Sequence, residues 1–151
     1  MPGTIFISYS HKNEDWKERV VTHLNVLAMD EESQIETWDD RRIEAGEEWY
    51  EAIAQAIETG SIAVLLVSAD SLTSKFIMKE EIPRLLALRE SGKLRRLIPL
   101  IIKHCAWQKV EWLSKLQARP KDGEPLASMT ESKADEALAK LAAEIEQMMS
   151  K

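Results

Sequence analysis

Side chains able to do chemistry gather at three places in this 151-residue chain. The first is Tyr9-Ser10-His11-Lys12. The second is Asp39-Asp40-Arg41-Arg42-Ile43-Glu44-Ala45-Gly46. The third runs from Asp70, Ser71 and Ser74 through Phe76 to the adjacent pair Glu80 and Glu81. Each follows a short apolar run. In an open α/β sheet all three would therefore meet in the crevice beyond the carboxyl ends of the strands, where ligands bind. Aromatic, hydroxyl, basic and carboxylate groups would converge there. Taken alone, Glu80 and Glu81 read as two solvated acids at a helix start, where they complement the macrodipole.

Several chemistries are excluded. The five glycines stand at 3, 46, 60, 92 and 123. Neither G-x-G-x-x-G nor G-x-x-x-x-G-K-[ST] can be written with them, so a Rossmann oxidoreductase and a P-loop NTPase are improbable. His11, His23 and His104 have no metal-ligand spacing with Cys105, and adjacency would put His104 and Cys105 on opposite sides of a strand. A receiver domain needs an acidic pair after its first strand and an Asp after its third. Here the first strand ends in Ser8-Tyr9-Ser10.

The net charge of -6 and the shortness of the basic clusters, Arg41-Arg42 and Lys93, Arg95, Arg96, argue against nucleic acid as a partner. The second cluster reads as a solvated approach to a strand. A lone cysteine makes no internal disulfide, and no leader or apolar stretch of about 20 residues is visible. A cytoplasmic protein without a membrane partner is expected. The length and the 44% hydrophobic content fit one globular domain over 1–151, of a kind that can be excised from a longer protein.

The elements that must position these groups alternate. Thr4 to Ser8, Ile35 to Trp38, Ile62 to Ser68 and Leu97 to Ile102 are strand candidates, and the segments between them have helical spacing. That alternation specifies an α/β fold, an open and mainly parallel sheet of four to five strands with helices on both faces. Trp16, Val20, Leu24 and Leu27 mark the inner stripe of one helix, capped by Asn13 or Asp15. Trp49, Ile53 and Ile57 mark a second, ended by Gly60. Trp38 and Trp49 are expected to be buried. Ser132 to Met149 forms a terminal amphipathic helix with Ala134, Leu138, Leu141, Ala142 and Ile145 inward. Between Lys103 and Met129 the pattern weakens, and Pro120, Gly123 and Pro125 mark loops. Pro83 cannot donate an N–H to the carbonyl of Lys79, and its ring disfavours helix at Ile82. The turn bearing Glu80 and Glu81 is thus expected to be irregular, or the regular helix to begin near Pro83.

The residues resemble the TIR (Toll/interleukin-1 receptor) domain family in its bacterial form. Phe6-Ile7-Ser8-Tyr9-Ser10 looks like the opening strand, Trp38 to Gly46 like the BB loop, and Leu65-Leu66-Val67-Ser68 with Ser71 to Ile82 like the third strand and active-site helix. The later Pro99-Leu100-Ile101-Ile102 strand, the Trp107 region and the stretch from Leu116-Gln117 to Lys121-Asp122-Gly123 extend the similarity. The resemblance implies a flavodoxin-like TIR fold.

It also implies an NAD glycohydrolase that releases nicotinamide and leaves ADP-ribose or a cyclic isomer, in bacteria commonly for antiphage defence, and is activated by self-association. The implied catalytic residue is Glu81, followed as in the family by an aliphatic residue and preceded by an aromatic, with Glu80 as runner-up. Tyr9, Ser10, His11, Asp39, Arg41, Arg42, Ser71 and Phe76 would bind the substrate. Arg42, Ile43, Glu44, Ala45 and Gly46 would meet other TIR domains. No cofactor or metal is implied, NAD being the substrate. One carboxylate would suffice, since nicotinamide leaves a cationic state as a neutral group and needs no general acid. The rival expectation is a non-enzymatic TIR–TIR interaction module, and a third is a virulence factor acting on host TIR signalling.

Overall fold

The structure, a computed structural model, describes residues 3–29, 35–38, 51 and 61–149; the side chains of 35, 36 and 38 lie outside that description. Four strands, β1 (Gly3–Ser8), β2 (Ile35–Trp38), β3 (Ser61–Val67) and β4 (Leu94–Ile101), form one parallel sheet in the order β2-β1-β3-β4. The α/β architecture and flavodoxin-like order agree with the sequence. A parallel sheet covered on both faces needs strands that are nearly continuous in apolar residues, and β1 and β3 are buried throughout, the polar Thr4, Ser8 and Ser61 included. Here β3 begins and ends one residue earlier than expected, and β4 starts three earlier. The basic pair Arg95 and Arg96 is thus part of the strand.

The two-residue side-chain period sorts the core. Ile5, Ile7 and Tyr9 of the β1 segment join Ile62, Val64 and Leu66 on one face, packed against Val20 and Leu24 of the helix Glu14–Asn25 and Leu138, Leu141 and Ile145 of the helix Glu131–Met149. Phe6, Ala63, Leu65 and Val67 take the other, against Ile82, Leu85 and Leu88 of the helix Ile82–Glu90. The terminal helix buries all five residues its spacing named: Ala134, Leu138, Leu141, Ala142 and Ile145. In the first helix Val20 and Leu24 are buried and Trp16 is half-buried at the margin of the core, with the Arg19 guanidinium over its ring. Leu27, expected on the same stripe, lies past the helix end in the separate turn Leu27–Met29 and is also half-buried. Trp49, Ile53, Ile57 and Gly60, and the side chain of Trp38, lie outside the described residues.

Residues 103–129 hold short turns of helix at Trp107–Lys109, Glu111–Ser114 and Leu126–Ser128, with Gly123 at φ 78. Among the described residues no helix is long and apolar enough to cross a membrane.

The first and last helices are also joined by charge. Asp135 accepts from Arg19 at 3.1 Å and contacts the His23 ring at 3.2 Å. The bond from His23 and then that from Arg19 hold its carboxyl below the usual carboxylate range. A group whose folded pKa is depressed stabilises the fold above its unfolded pKa, and that stability is lost as pH falls through the folded pKa. Asp135→Asn is expected to lower the thermal midpoint slightly at about pH 7 and to leave it equal to that of the parent at about pH 2, as thermal melts across that range would show.

Candidate active site

Strand parity aims the first polar group. Ser8 lies two residues beyond Phe6 on the face covered by the chain running from Ile77 to Glu90, and its hydroxyl donates to Glu81 Oε1 at 2.6 Å. Glu81 is 1% exposed and Ser8 equally so. A hydroxyl-to-carboxylate bond this short is charge-assisted, the kind that makes a buried carboxylate tolerable.

The helix that carries Glu81 is irregular where Pro83 leads one to expect it. Ile77–Glu81 is a π-helical turn, closed by the Ile82 N–H donating to the Ile77 carbonyl, and the regular helix Ile82–Glu90 begins with Pro83 in its first turn. Ile82 itself stays helical at φ -63, ψ -47, so the proline ring does not push it out of that region. The turn's wider closure meets the irregularity instead. One added residue rotates the chain before the turn by about 100° relative to the helix after it. Ile77 and Glu81 thereby both face inward, whereas Glu80 faces solvent and meets Arg84 at 3.7 Å with its side chain 52% exposed. Ser74 accepts from the Ile77 N–H at 3.2 Å at the start of the turn. Phe76 stands 43% exposed just before it.

A second polar knot ties the end of β3 to the segment after β1. Ser68 and Ser71 form a reciprocal capping box on the short helix Ala69–Leu72. Ser71 is buried and its hydroxyl is engaged with the Ser68 backbone. Asn13, 2% exposed, accepts from the Ser68 hydroxyl at 2.6 Å and donates to Asp70 Oδ2 at 3.3 Å. Asn13 does occupy the N-cap position of the first helix. Its side chain makes no capping bond, because both its polar atoms are turned across to Ser68 and Asp70, just past the end of β3.

Of the residues after β1, Ser10 caps the turn His11–Asn13 by accepting from the Lys12 N–H. Tyr9 is buried, with the His11 ring 5.3 Å away and the Lys17 ammonium 5.6 Å from its ring centre. Lys17 is itself 7% exposed and reaches Glu14 and Glu18. Tyr9, Ser10, Asn13, Ser68, Asp70 and Glu81 thus share the carboxyl end of the β1–β3 pair, the place where the strand order reverses. Asp39, Arg41, Arg42, Ile43, Glu44, Ala45 and Gly46 lie outside the described residues. His104 and Cys105 lie beyond the end of β4 in a loop rather than flanking a strand, and burial raises the Cys105 thiol above its ordinary pKa, against a thiolate nucleophile.

Sequence reasoning assigns Ser8 no role beyond its place in a motif, and it misses Asn13 as a cross-link and Lys17 as a buried cation. Parity is the signal that could find Ser8, since a polar residue two beyond Phe6 must face the same helix layer.

Comparison with known proteins settles the family. A TIR domain model matches residues 5–142. The chain belongs to the TIR domain family. It is also 39% identical over 126 residues to the uncharacterized protein y4lF of Sinorhizobium fredii (strain NBRC 101917 / NGR234), an alignment covering 83% of this chain and 38% of that protein. The TIR domain here thus spans well under half of its relative's length. TIR domains typically interact with one another, and some of them cleave NAD.

Asn13→Ala in this TIR domain is expected to cost roughly 1–3 kcal/mol, because it leaves the buried Ser68 hydroxyl without its acceptor. Glu80→Gln should stay within about 0.5 kcal/mol of the parent, as an exposed pair does. Urea unfolding of the two variants measures both.

Proposed function

We propose that this TIR domain is an NAD glycohydrolase with Glu81 as its catalytic carboxylate. The observation that carries the proposal is the burial of Glu81 at the carboxyl end of the β1–β3 pair, with Ser8 donating to one of its oxygens. Membership of a family in which some domains cleave NAD supplies the reaction class.

Breaking the nicotinamide–ribose bond builds positive charge on the ribose while the ring departs neutral, so the step needs an anion close to the sugar and no proton donor to the leaving group. A carboxylate already held out of water stabilises that charge without reorganising as it forms. Ser8 fixes the plane of the carboxylate by donating to Oε1. Phe76, partly exposed just before the turn, offers a face for stacking a planar ring; Ser10 and His11 belong to the proposed binding set from the β1 side, and Tyr9, whose ring is buried on the opposite face of the sheet, backs the His11 ring. Asp39, Arg41, Arg42 and Ser71 complete the proposed binding set, Ser71 by shaping the β3 end through its cap rather than by direct contact.

Water attacking the ribose cation gives ADP-ribose, and attack by another part of the same substrate gives a cyclic isomer. Association of copies through Arg42 to Gly46 would raise activity in a cell, and NAD depletion fits a role in bacterial defence against phage. The bacterial source of the relative supports that setting.

NAD consumption by concentrated, artificially clustered protein, with products separated by chromatography, tests the proposal. Glu81→Gln is expected to lower kcat by about 10²–10³-fold, with Glu80→Gln within a few-fold of the parent. Loss confined to the Glu80 variant would reverse the assignment, and absence of turnover throughout would leave a non-enzymatic TIR–TIR interaction module. Ser8→Ala should reduce kcat by roughly tenfold while changing KM little, and Ser8→Thr, which keeps the hydroxyl, should restore most of it. A Ser8→Ala enzyme with unchanged kcat would remove Ser8 from the reaction.

A further inference from the structure

A second concavity, of about 310 Å³, lies on the β4 side of the sheet, away from Glu81. Its lining carries four basic side chains, Arg89, Arg96, Lys115 and Arg119, and no acidic one. That bias stands out in a chain of net charge -6. The neighbouring concavity, about 710 Å³ between residues 119–124 and the terminal helix, holds basic and acidic side chains in equal number. Cations there are matched by acids in the same lining; in the smaller cavity the acids that meet Lys115 and Arg119 lie outside the lining, and Arg89 and Arg96 meet none among the described residues.

The four cations of the smaller cavity differ in what meets them. Arg119 is held by Glu144 through bonds of 2.9 and 2.7 Å, and Lys115 meets Glu111 at 3.2 Å. Arg89 and Arg96 meet no carboxylate among the described residues, Arg96 donating instead to the Arg95 carbonyl at 3.2 Å. Both are exposed, so their guanidinium groups reach the cavity without a desolvation cost already incurred.

The backbone adds to the same side. Ile101 donates to the Arg119 carbonyl, Pro99 accepts from its N–H, and Ile102 turns the other way to donate to Val67 of β3. By the two-residue period, Leu97 presents its N–H on the edge that Pro99 and Ile101 share. Pairing along that edge, among the described residues, is a single bridge between Leu100 and Arg119, and the cavity opens beside the stretch the bridge does not reach. Leu97, Leu116 and Met148 give it an apolar floor.

We propose that this cavity binds a phosphate-class anion, held in the forks of Arg89 and Arg96 with the Leu97 N–H beneath it. Planar guanidinium forks suit phosphate oxygens, and a backbone N–H adds a fixed donor. Arg89 closes the helix Ile82–Glu90 and Arg96 lies in the amino-terminal half of β4. The anion would therefore sit at the opposite end of the sheet from the carboxyl-end crevice, and the inference does not rest on NAD cleavage.

Titration of the full chain with pyrophosphate at low ionic strength, followed by amide NMR, tests it. Saturable shifts at Leu97, Ile98, Leu116 and Gln117 are expected. In the double variant Arg89→Gln, Arg96→Gln the affinity should fall at least about tenfold with the thermal midpoint unchanged, both side chains being exposed. Adenosine diphosphate run in parallel separates the sources: tighter binding than pyrophosphate identifies a nucleotide that uses the apolar floor, and equal binding identifies the phosphate group alone. Shifts that sodium chloride reproduces at equal ionic strength, that persist in the double variant, or that are absent from these residues would each overturn the proposal.

Discussion

Burying a carboxylate is costly unless its oxygens find donors, and that constraint organises the middle of this domain. Glu81 satisfies it with the Ser8 hydroxyl. The bond requires β1 to present Ser8 on the layer of the helix Ile82–Glu90, the helix to enter that layer one residue out of α register, and the loops after β1 and β3 to hold still around both. The π turn answers the second requirement, and the Asn13–Ser68–Asp70 chain of hydrogen bonds answers the third. None of these features would be needed to build a stable α/β sandwich. They cost regularity, and they gather at the reversal point of the strand order.

Much of the scaffold was legible because two periods dominate it. Continuous apolar runs could only be strands covered on both faces, and the spacing of Ala134, Leu138, Leu141, Ala142 and Ile145 could only be a helix laid on the sheet. The site was legible in place but not in orientation. Which of Glu80 and Glu81 turns inward depends on whether the chain closes after four residues or five, and no propensity scale distinguishes those closures. Pro83 gave the one usable warning. It marked the turn as irregular without saying of what kind, and the expectation for Ile82 failed because the carbonyl displaced by the proline is accommodated by widening the turn. Asn13 misled for a related reason. Its position is that of a cap, but its side chain answers to Ser68, which is 55 residues away and invisible to local pattern. Tertiary hydrogen bonds between short polar side chains leave no periodic trace.

Charge is distributed along the sheet axis as unevenly as polarity is. The carboxyl end collects acids and hydroxyls in bonded pairs, whereas the β4 edge collects arginines, two of them with no acid to meet among the described residues. An overall excess of acid therefore says little about what either end attracts, since fields in a cleft depend on the groups that line it.

The β4 edge has one more consequence. Pro99 lies on it with no N–H to offer, Arg119 occupies the position opposite Leu100, and Arg95 and Arg96 bring charge to its beginning. A strand from another molecule would find too few consecutive donors and acceptors to zip onto, and would have to lie across guanidinium groups to do so. For a family whose members seek each other's company, this amounts to insulation. Among the described residues, copies crowded together at this edge would meet side chains and isolated backbone groups rather than a continuous ladder, so such contacts remain reversible where a shared sheet would grow into a fibril.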